Sequence, residues 1–297
     1  MSSNRTAVGI LLAIAAYTMW GVAPIYFKLL HGVPAAEILM HRVIWSVIVL
    51  FGLILLTKQS SHVMRALQDT NILKILSVTG FLLAANWYVF IWAINNDHLL
   101  DASLGYYINP LLNVFLGRAF LGETLRKMQK LAVILALIGV GMLVISYGHI
   151  PWVSLLLAST FGVYGLIRKK VPVGSFPGLF IESLLMLPVA VYYWLVFAGD
   201  TSNLLSNSMS LNILLICAGI ITTAPLLCFT SAAKRIQYST LGFFQYIGPS
   251  IMFVLAVLVF NEPLQQEKVI LFAFVWAALA IFSWDSWRHY RRMKGAN

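Results

Sequence analysis

Apolar runs about 20 residues long recur along the whole chain, and each is long enough to cross roughly 30 Å of hydrocarbon as a helix. Ten can be read, at 7–30, 35–56, 72–94, 101–121, 127–147, 151–168, 177–198, 211–233, 239–260 and 265–287. Only 10% of the 297 residues are charged and 60% are apolar or aromatic, whereas soluble domains carry about 25% charged residues. No single soluble core could hide that surplus. The expected fold class is all-α integral membrane with ten transmembrane helices, and no polar stretch between the runs is long enough for a separate soluble domain. The first run continues from Ala7 through Trp20 past Ile25, beyond the apolar core of a cleaved signal, so it is expected to remain as a span.

The formal net charge of +10 has a one-sided distribution. With the N-terminus in the cytoplasm, the cytoplasmic side receives Arg5; Lys58, Arg65 and Lys74; Arg118, Arg126, Lys127 and Lys130; Arg168, Lys169 and Lys170; Lys234 and Arg235; and Arg288, Arg291, Arg292 and Lys294. Lys28 and Lys268 fall outside, and Arg42 lies within a span. Such asymmetry is the positive-inside bias, and it predicts that both termini are cytoplasmic. It also explains the basic balance without a nucleic-acid partner, for which no recognition face is evident. Cys217 and Cys228 share one expected span about 16 Å apart, beyond disulfide reach, and no histidine pair has metal-ligand spacing.

One phrase is written twice. "ASLGYYINPLLNVFLGRAFLGE" (102–123) and "STLGFFQYIGPSIMFVLAVLVFNE" (239–262) share Leu-Gly, paired aromatics, a proline and a closing glutamate. Phe90 aligns with Phe229, Pro110 with Pro249 and Glu123 with Glu262, and "AYTMWG" resembles "STFGVYG" in the first span of each half. The expected units are therefore 7–147 and 151–287, each with five spans. Five is odd, so the second unit enters the membrane from the opposite side. Inverted repeats are a construction principle of secondary transporters, since exchanging the conformations of two similar halves moves access from one face to the other.

Together with "AAYTMWGVAPIYFKLL", "PAAEILMHRVIWS", "NWYVFIWAINN" and "TLGFFQYIGP", this plan resembles the RarD branch of the EamA family, within the drug/metabolite transporter superfamily. The resemblance covers essentially the whole chain. It implies two EamA-type five-helix units, a bacterial inner-membrane location, a permease role more often of export than uptake, and small organic metabolites or drugs as substrates.

Ionisable groups inside spans cost about 2.5–3.5 kcal/mol at a helix centre, so each needs a reason. Arg42 lies about 10 Å from one face and Glu182 about 8 Å from the other, too far apart to pair. Arg42 is expected to orient an anionic group such as a carboxylate, and Glu182 to assist release or proton coupling. The competing reading pairs Arg42 with Asp97 or Asp101 and Glu182 with a cytoplasmic base. Pro110 and Pro249 fall mid-span and are expected to kink their helices, with Asn109, Asn113 and Gly248 beside them. Trp20, Trp87, Tyr106, Tyr107, Phe243, Phe244 and Tyr246 lie away from the interfacial belts and could wall a cavity, with Asn86 and Gln245 supplying hydrogen bonds; the alternative is plain helix packing. The expected substrate-binding set is thus Trp20, Arg42, Asn86, Trp87, Tyr106, Asn109, Glu182, Gln245 and Tyr246.

Small pairs at Ala132/Ala136 and Ala273/Ala277 permit close helix approach to a neighbour, a homodimer being one arrangement they allow. Enzyme readings fare badly. "GRAFLGET" (117–124) has phosphate-loop glycine spacing, but Glu123 stands where the lysine belongs and would repel phosphate. No cofactor or metal is expected. A channel or a non-transporting receptor is the rival class, but a pore calls for a ring of repeated polar groups, and a receptor for a partner-binding surface.

Overall fold

The computed structural model describes residues 3–96, 98–259 and 266–295, and every regular element among them is helical. Lipid offers no partner to a backbone N–H or C=O, so apolar runs satisfy their own hydrogen bonds as helices. They form α1 (Ser3–Leu29), α2 (Ala35–Leu56), α3 (Ser60–Gln68), α4 (Thr70–Asn95), α5 (Leu99–Leu121), α6 (Lys127–Tyr147), α7 (Trp152–Lys170), α8 (Ser175–Val196), α9 (Met209–Ala233), α10 (Tyr238–Gln245), α11 (Ile247–Leu258) and α12 (Gln266–Gly295). Eight stretches among the described residues are long and apolar enough to cross a membrane, with α10 and α11 counting as one. The other two expected intervals are occupied by α5 and by α7, which ends in Arg168, Lys169 and Lys170.

Two local features depart from simple spans. The short α3 is amphipathic, buries Val63 and Ala66, and packs against α4 and α8. The ninth interval is broken at Tyr246. Pro249 has no N–H to donate to the Gln245 carbonyl, and its ring crowds that carbonyl, so α10 ends at Gln245 and Pro249 enters the first turn of α11. Pro110, its counterpart, lies inside a single helix, α5.

Without a hydrophobic drive between helices in lipid, close packing must hold the bundle. The helix α1 packs on α9 and α11; α7 packs on α4 and α5; α2 packs on α8 and α9; α5 meets α10, and α6 meets α12. The largest core cluster includes Tyr17, Leu50, Leu76, Tyr164, Ile181, Phe229 and Tyr238. A second joins α5, α6, α10 and α12 through Ala132, Ala136, Phe243, Val275 and Phe282, with Phe243 stacked on Phe282 at 4.0 Å. Ala132 and Ala136 thus do lie in a helix contact, whereas Ala273 and Ala277 face outward. Gly242 sets the α5–α10 approach: a Cβ there would stand 2.8 Å from both the Pro110 carbonyl oxygen and the Asn113 Cβ. Large apolar side chains such as Leu11, Phe51, Phe81 and Leu195 point outward, as a lipid-facing surface requires.

Candidate functional site

Arg42 projects from α2 into the space between α1, α4 and α9. Its Nε donates to Thr222 Oγ1 on α9 at 2.8 Å. Its guanidinium carbon lies 4.9 Å from the Trp87 ring centroid and 5.7 Å from that of Phe27. The phenols of Tyr26 and Tyr106 lie near it as well. Tyr26 is anchored by donating to the Leu214 carbonyl at 2.7 Å. Arg42 is half-buried and Tyr106 keeps 38% of its surface accessible, though both sit mid-helix and are ringed by protein.

Among the described residues, no carboxylate is within ion-pair distance of Arg42. Asp97, one of the two acids expected to compete for it, lies outside the described residues, as does the side chain of Asp101. A cation over an aromatic face gains roughly 0.5–2 kcal/mol, less than the cost of an arginine at membrane depth. The chain therefore holds a positive charge near aromatic walls with donor capacity left for an anion.

The N-terminal end of α2 is pinned in place. Glu37, in its first turn, accepts from Gly199 N at 3.0 Å, from Thr201 Oγ1 at 2.7 Å and from the Ser202 hydroxyl. One turn on, His41 meets Ser202 Oγ at 3.3 Å and accepts from Trp45 Nε1 at 3.3 Å. These contacts fix the rotation of α2 that aims Arg42 inward.

A second polar group forms at the doubled phrase. Asn113 Nδ2 donates to Asn109 Oδ1 and to Gln245 Oε1, each at 3.0 Å, and Asn109 Nδ2 donates to the Ala158 carbonyl at 2.7 Å. The ladder ties α5, α7 and α10 at the level of the prolines. Asn113 Oδ1 is buried without a partner. Tyr246, at the helix break, donates to the Tyr107 carbonyl at 3.2 Å and is fully buried.

Glu182 stands apart from Arg42. It is 0% exposed, with Arg168 Nε at 3.4 Å from its Oε1, Thr79 Oγ1 donating at 2.5 Å and Tyr164 OH donating at 3.3 Å. Arg168, counted with the charges of the basic side, is fully buried, and it is the base that the competing reading assigns to Glu182. Gly178 makes that possible, because a Cβ at this position would fall 2.1 Å from Arg168 Nη1. At the same basic end Glu123 accepts from Tyr238 N at 2.5 Å, Ser239 N at 2.8 Å and Ser239 Oγ at 2.7 Å. Gly122, at φ 63°, turns the end of α5 so that Glu123 can reach the start of α10. Lys169 Nζ adds bonds to the Ala233 and Ile236 carbonyls at 2.7 and 2.5 Å.

Of the nine expected residues, Arg42, Trp87 and Tyr106 converge. Asn86 neighbours Trp87, but its Nδ2 turns to Leu157 O and Thr160 Oγ1, both at 2.9 Å. Trp20 joins an aromatic cluster with Tyr17, Phe161 and Phe229 at 5.7–5.9 Å. Asn109, Gln245 and Tyr246 bridge helices, and Glu182 is ion-paired. Phe27 and Thr222, which touch Arg42, were not in the expected set; Thr222-Thr223 is nevertheless a polar pair inside an apolar run.

Residues 7–145 match the model of the EamA-like transporter family. An "Uncharacterized transporter" of Vibrio cholerae serotype O1 is 57% identical over 93% of this chain and 92% of its own length. "Protein RarD" of Escherichia coli strain K12 is 51% identical over 98% of this chain and 99% of its own. A solved crystal structure with 17% identity superposes with a TM-score of 0.72 over 93% of this chain and 97% of its own, a likeness of fold alone. This chain accordingly belongs to the RarD branch of the EamA-like transporter family and is a multi-pass membrane transporter.

Proposed function

We propose that the protein exports small organic molecules carrying an anionic group, by alternating access between two inverted five-helix units, 7–147 and 151–287. The observation that carries this reading is Arg42, half-buried, facing Trp87 and Phe27 and lacking a carboxylate among the described residues. A substrate carboxylate or equivalent would complete its hydrogen bonding, while Trp87, Phe27 and Tyr106 would cover an apolar body.

The packing supports the inverted-unit reading. The first helix of each unit, α1 or α7, lies against the third and fourth spans of the other: α9 and α11 for α1, α4 and α5 for α7. Second spans α2 and α8 meet, as do fifth spans α6 and α12. A reciprocal arrangement of this kind lets the halves exchange conformations. With the basic face cytoplasmic, as the positive-inside bias requires, Glu123 and the Arg168–Glu182 pair close the inner exit in this conformation. Glu182 is the proposed coupling carboxylate: protonation would cancel its attraction to Arg168 and favour opening of that face. Glu262, the counterpart of Glu123, lies outside the described residues.

The test is counterflow in proteoliposomes against a panel of carboxylates and their neutral amides. Saturable exchange of carboxylates that Arg42→Gln abolishes is expected. Equal transport of acid and amide by the wild-type protein would sink the anion reading, and currents beyond carrier turnover would replace the carrier with a channel.

A further inference from the structure

At the basic end of the molecule a cavity of about 550 Å³ opens where α1, α8, α9 and the residue preceding α3 meet. Arg5, Lys234 and Arg235 line it together with Ser175, Ser231 and Gln59, and none of the described residues that line it is a carboxylate. Its walls are tied. Arg5 Nη2 donates to the Lys234 carbonyl at 3.4 Å, Arg235 Nη1 to the Ser231 carbonyl at 2.8 Å, and Ser231 Oγ to Ser175 Oγ at 2.9 Å. Lys234 Nζ reaches the Val171 carbonyl at 2.8 Å and also that of Val173. Each arginine thus spends one N–H on a backbone carbonyl and keeps the rest of its fork.

The buried carboxylate whose field reaches Lys234 is already committed. Glu182 faces Arg168, whose Nη2 lies 3.5 and 3.4 Å from the Gly174 and Ser175 carbonyls that border the cavity. Ser175 also begins α8, a 22-residue helix with no side-chain cap and no acid in its first turn, so the helix dipole adds to the positive field. Three cations, two hydroxyls and a helix start around one recess match the chemistry of a phosphate oxyanion. It lies at the end of α9, a helix long and apolar enough to cross a membrane, which is where a lipid headgroup would meet basic side chains.

We propose that this cavity binds a phosphate-bearing anion, the phosphodiester of an anionic lipid headgroup or a free phosphate. Its lining joins α1 of the first unit to α8 and α9 of the second, so an occupant ties the two units together at the face that Glu123 and Arg168 close. Neither the transported substrate nor Arg42 takes part.

Thermal unfolding of the purified full chain in neutral detergent tests the site. The probes are phosphatidylglycerol, phosphatidylcholine and inorganic phosphate. Phosphatidylglycerol or phosphate is expected to raise the melting temperature and phosphatidylcholine to leave it unchanged. Removing two basic contacts in Arg5→Gln/Arg235→Gln should weaken apparent affinity about thirtyfold. Arg65→Gln/Lys74→Gln, on the same face but outside the cavity, should retain the wild-type affinity. A shift from phosphatidylglycerol alone identifies a lipid headgroup, and an equal shift from phosphate identifies the free anion. No shift with either probe, a shift that survives the cavity substitutions, or equal loss in the control pair would overturn the site. Should the double variant fold poorly, native mass spectrometry of Arg5→Gln, an exposed position, reads the same occupancy: fewer bound phosphatidylglycerol molecules than wild type supports the site, and an unchanged number overturns it.

Discussion

Arg42 and Arg168 are two guanidinium groups within the same helical bundle, and the chain treats them in opposite ways. Arg168 is fully buried, has Glu182 at 3.4 Å, and sits in space that Gly178 leaves open. Arg42 is half-buried, holds one threonine hydroxyl and faces two aromatic rings. A scaffold charge brings its own counter-ion, because breaking a buried pair leaves an uncompensated charge. On the proposed reading, Arg42 keeps its counter-ion position, unfilled among the described residues, for a ligand. The difference separates structure from site more sharply than burial or residue type does.

The largest effect should come from breaking the pair. Arg168→Met leaves Glu182 buried without its cation and should cost about 3–5 kcal/mol of stability, seen as a large fall in melting temperature of the purified protein. Adding Glu182→Gln to that variant should recover much of the loss. A double variant no more stable than Arg168→Met would show that the two residues are not coupled. Arg42→Gln should do the reverse. Its stability should fall by only about 1–2 kcal/mol, since the substitution leaves the buried Thr222 hydroxyl without its donor but orphans no buried charge among the described residues, while carboxylate transport falls at least about tenfold. Arg42→Lys keeps the charge but loses the planar fork over Trp87, so binding should suffer more than maximal rate.

The sequence made these two roles unequally legible. Apolar runs locate the helices because lipid leaves the backbone no alternative, and the cost of an intramembrane charge singles out Arg42 and Glu182. Arg168 is harder to read: it stands at the end of an apolar run, where counting cannot tell a side chain that turns outward from one that turns in. Gly178, one turn before Glu182, is the local cue, and its meaning needs the packing of α7 on α8. Phe27 and Thr222 reach Arg42 from α1 and α9, contacts that no spacing along the chain encodes. The short α3 escapes because nine amphipathic residues have neither the length nor the hydropathy of a span. The doubled proline is plain in sequence, yet one copy lies within α5 and the other begins a new helix.

Glu123 gives a third term between the two arginines, a carboxylate that holds backbone donors at the start of α10. Glu123→Gln keeps the shape but loses the charge that strengthens its bonds to Tyr238 N and Ser239 N, worth roughly 1–2 kcal/mol. If these bonds close the basic face, a cysteine introduced at Ser239, otherwise buried, should react faster with a membrane-impermeant thiol reagent in the glutamine background. Because this substitution removes one Glu123 bond itself, the comparison is between Ser239→Cys alone and Ser239→Cys with Glu123→Gln. Equal rates would remove Glu123 from the gate.

The smallest effect lies at Lys234, just past the end of α9, and it reports on the Arg168 side alone. Burial lowers its ammonium pKa to about 8, repulsion from Arg168 adds to the fall, and Glu182 opposes it. An unfolded lysine titrates near 10.4. Between about pH 8 and that value the unfolded chain binds more protons than the folded one, so this group makes stability rise with pH across that window and leaves it flat below. Other groups titrate in the same range, so the measurement is the difference in slope of melting temperature against pH between wild type and Lys234→Met, not either curve alone. The wild type should gain on the variant above pH 8. Glu182→Gln should start that gain at lower pH, because the lysine loses its favourable partner while Arg168 still repels it. Arg42→Gln should leave the window where it was, and a shift there would mean that the two arginines share one electrostatic network after all.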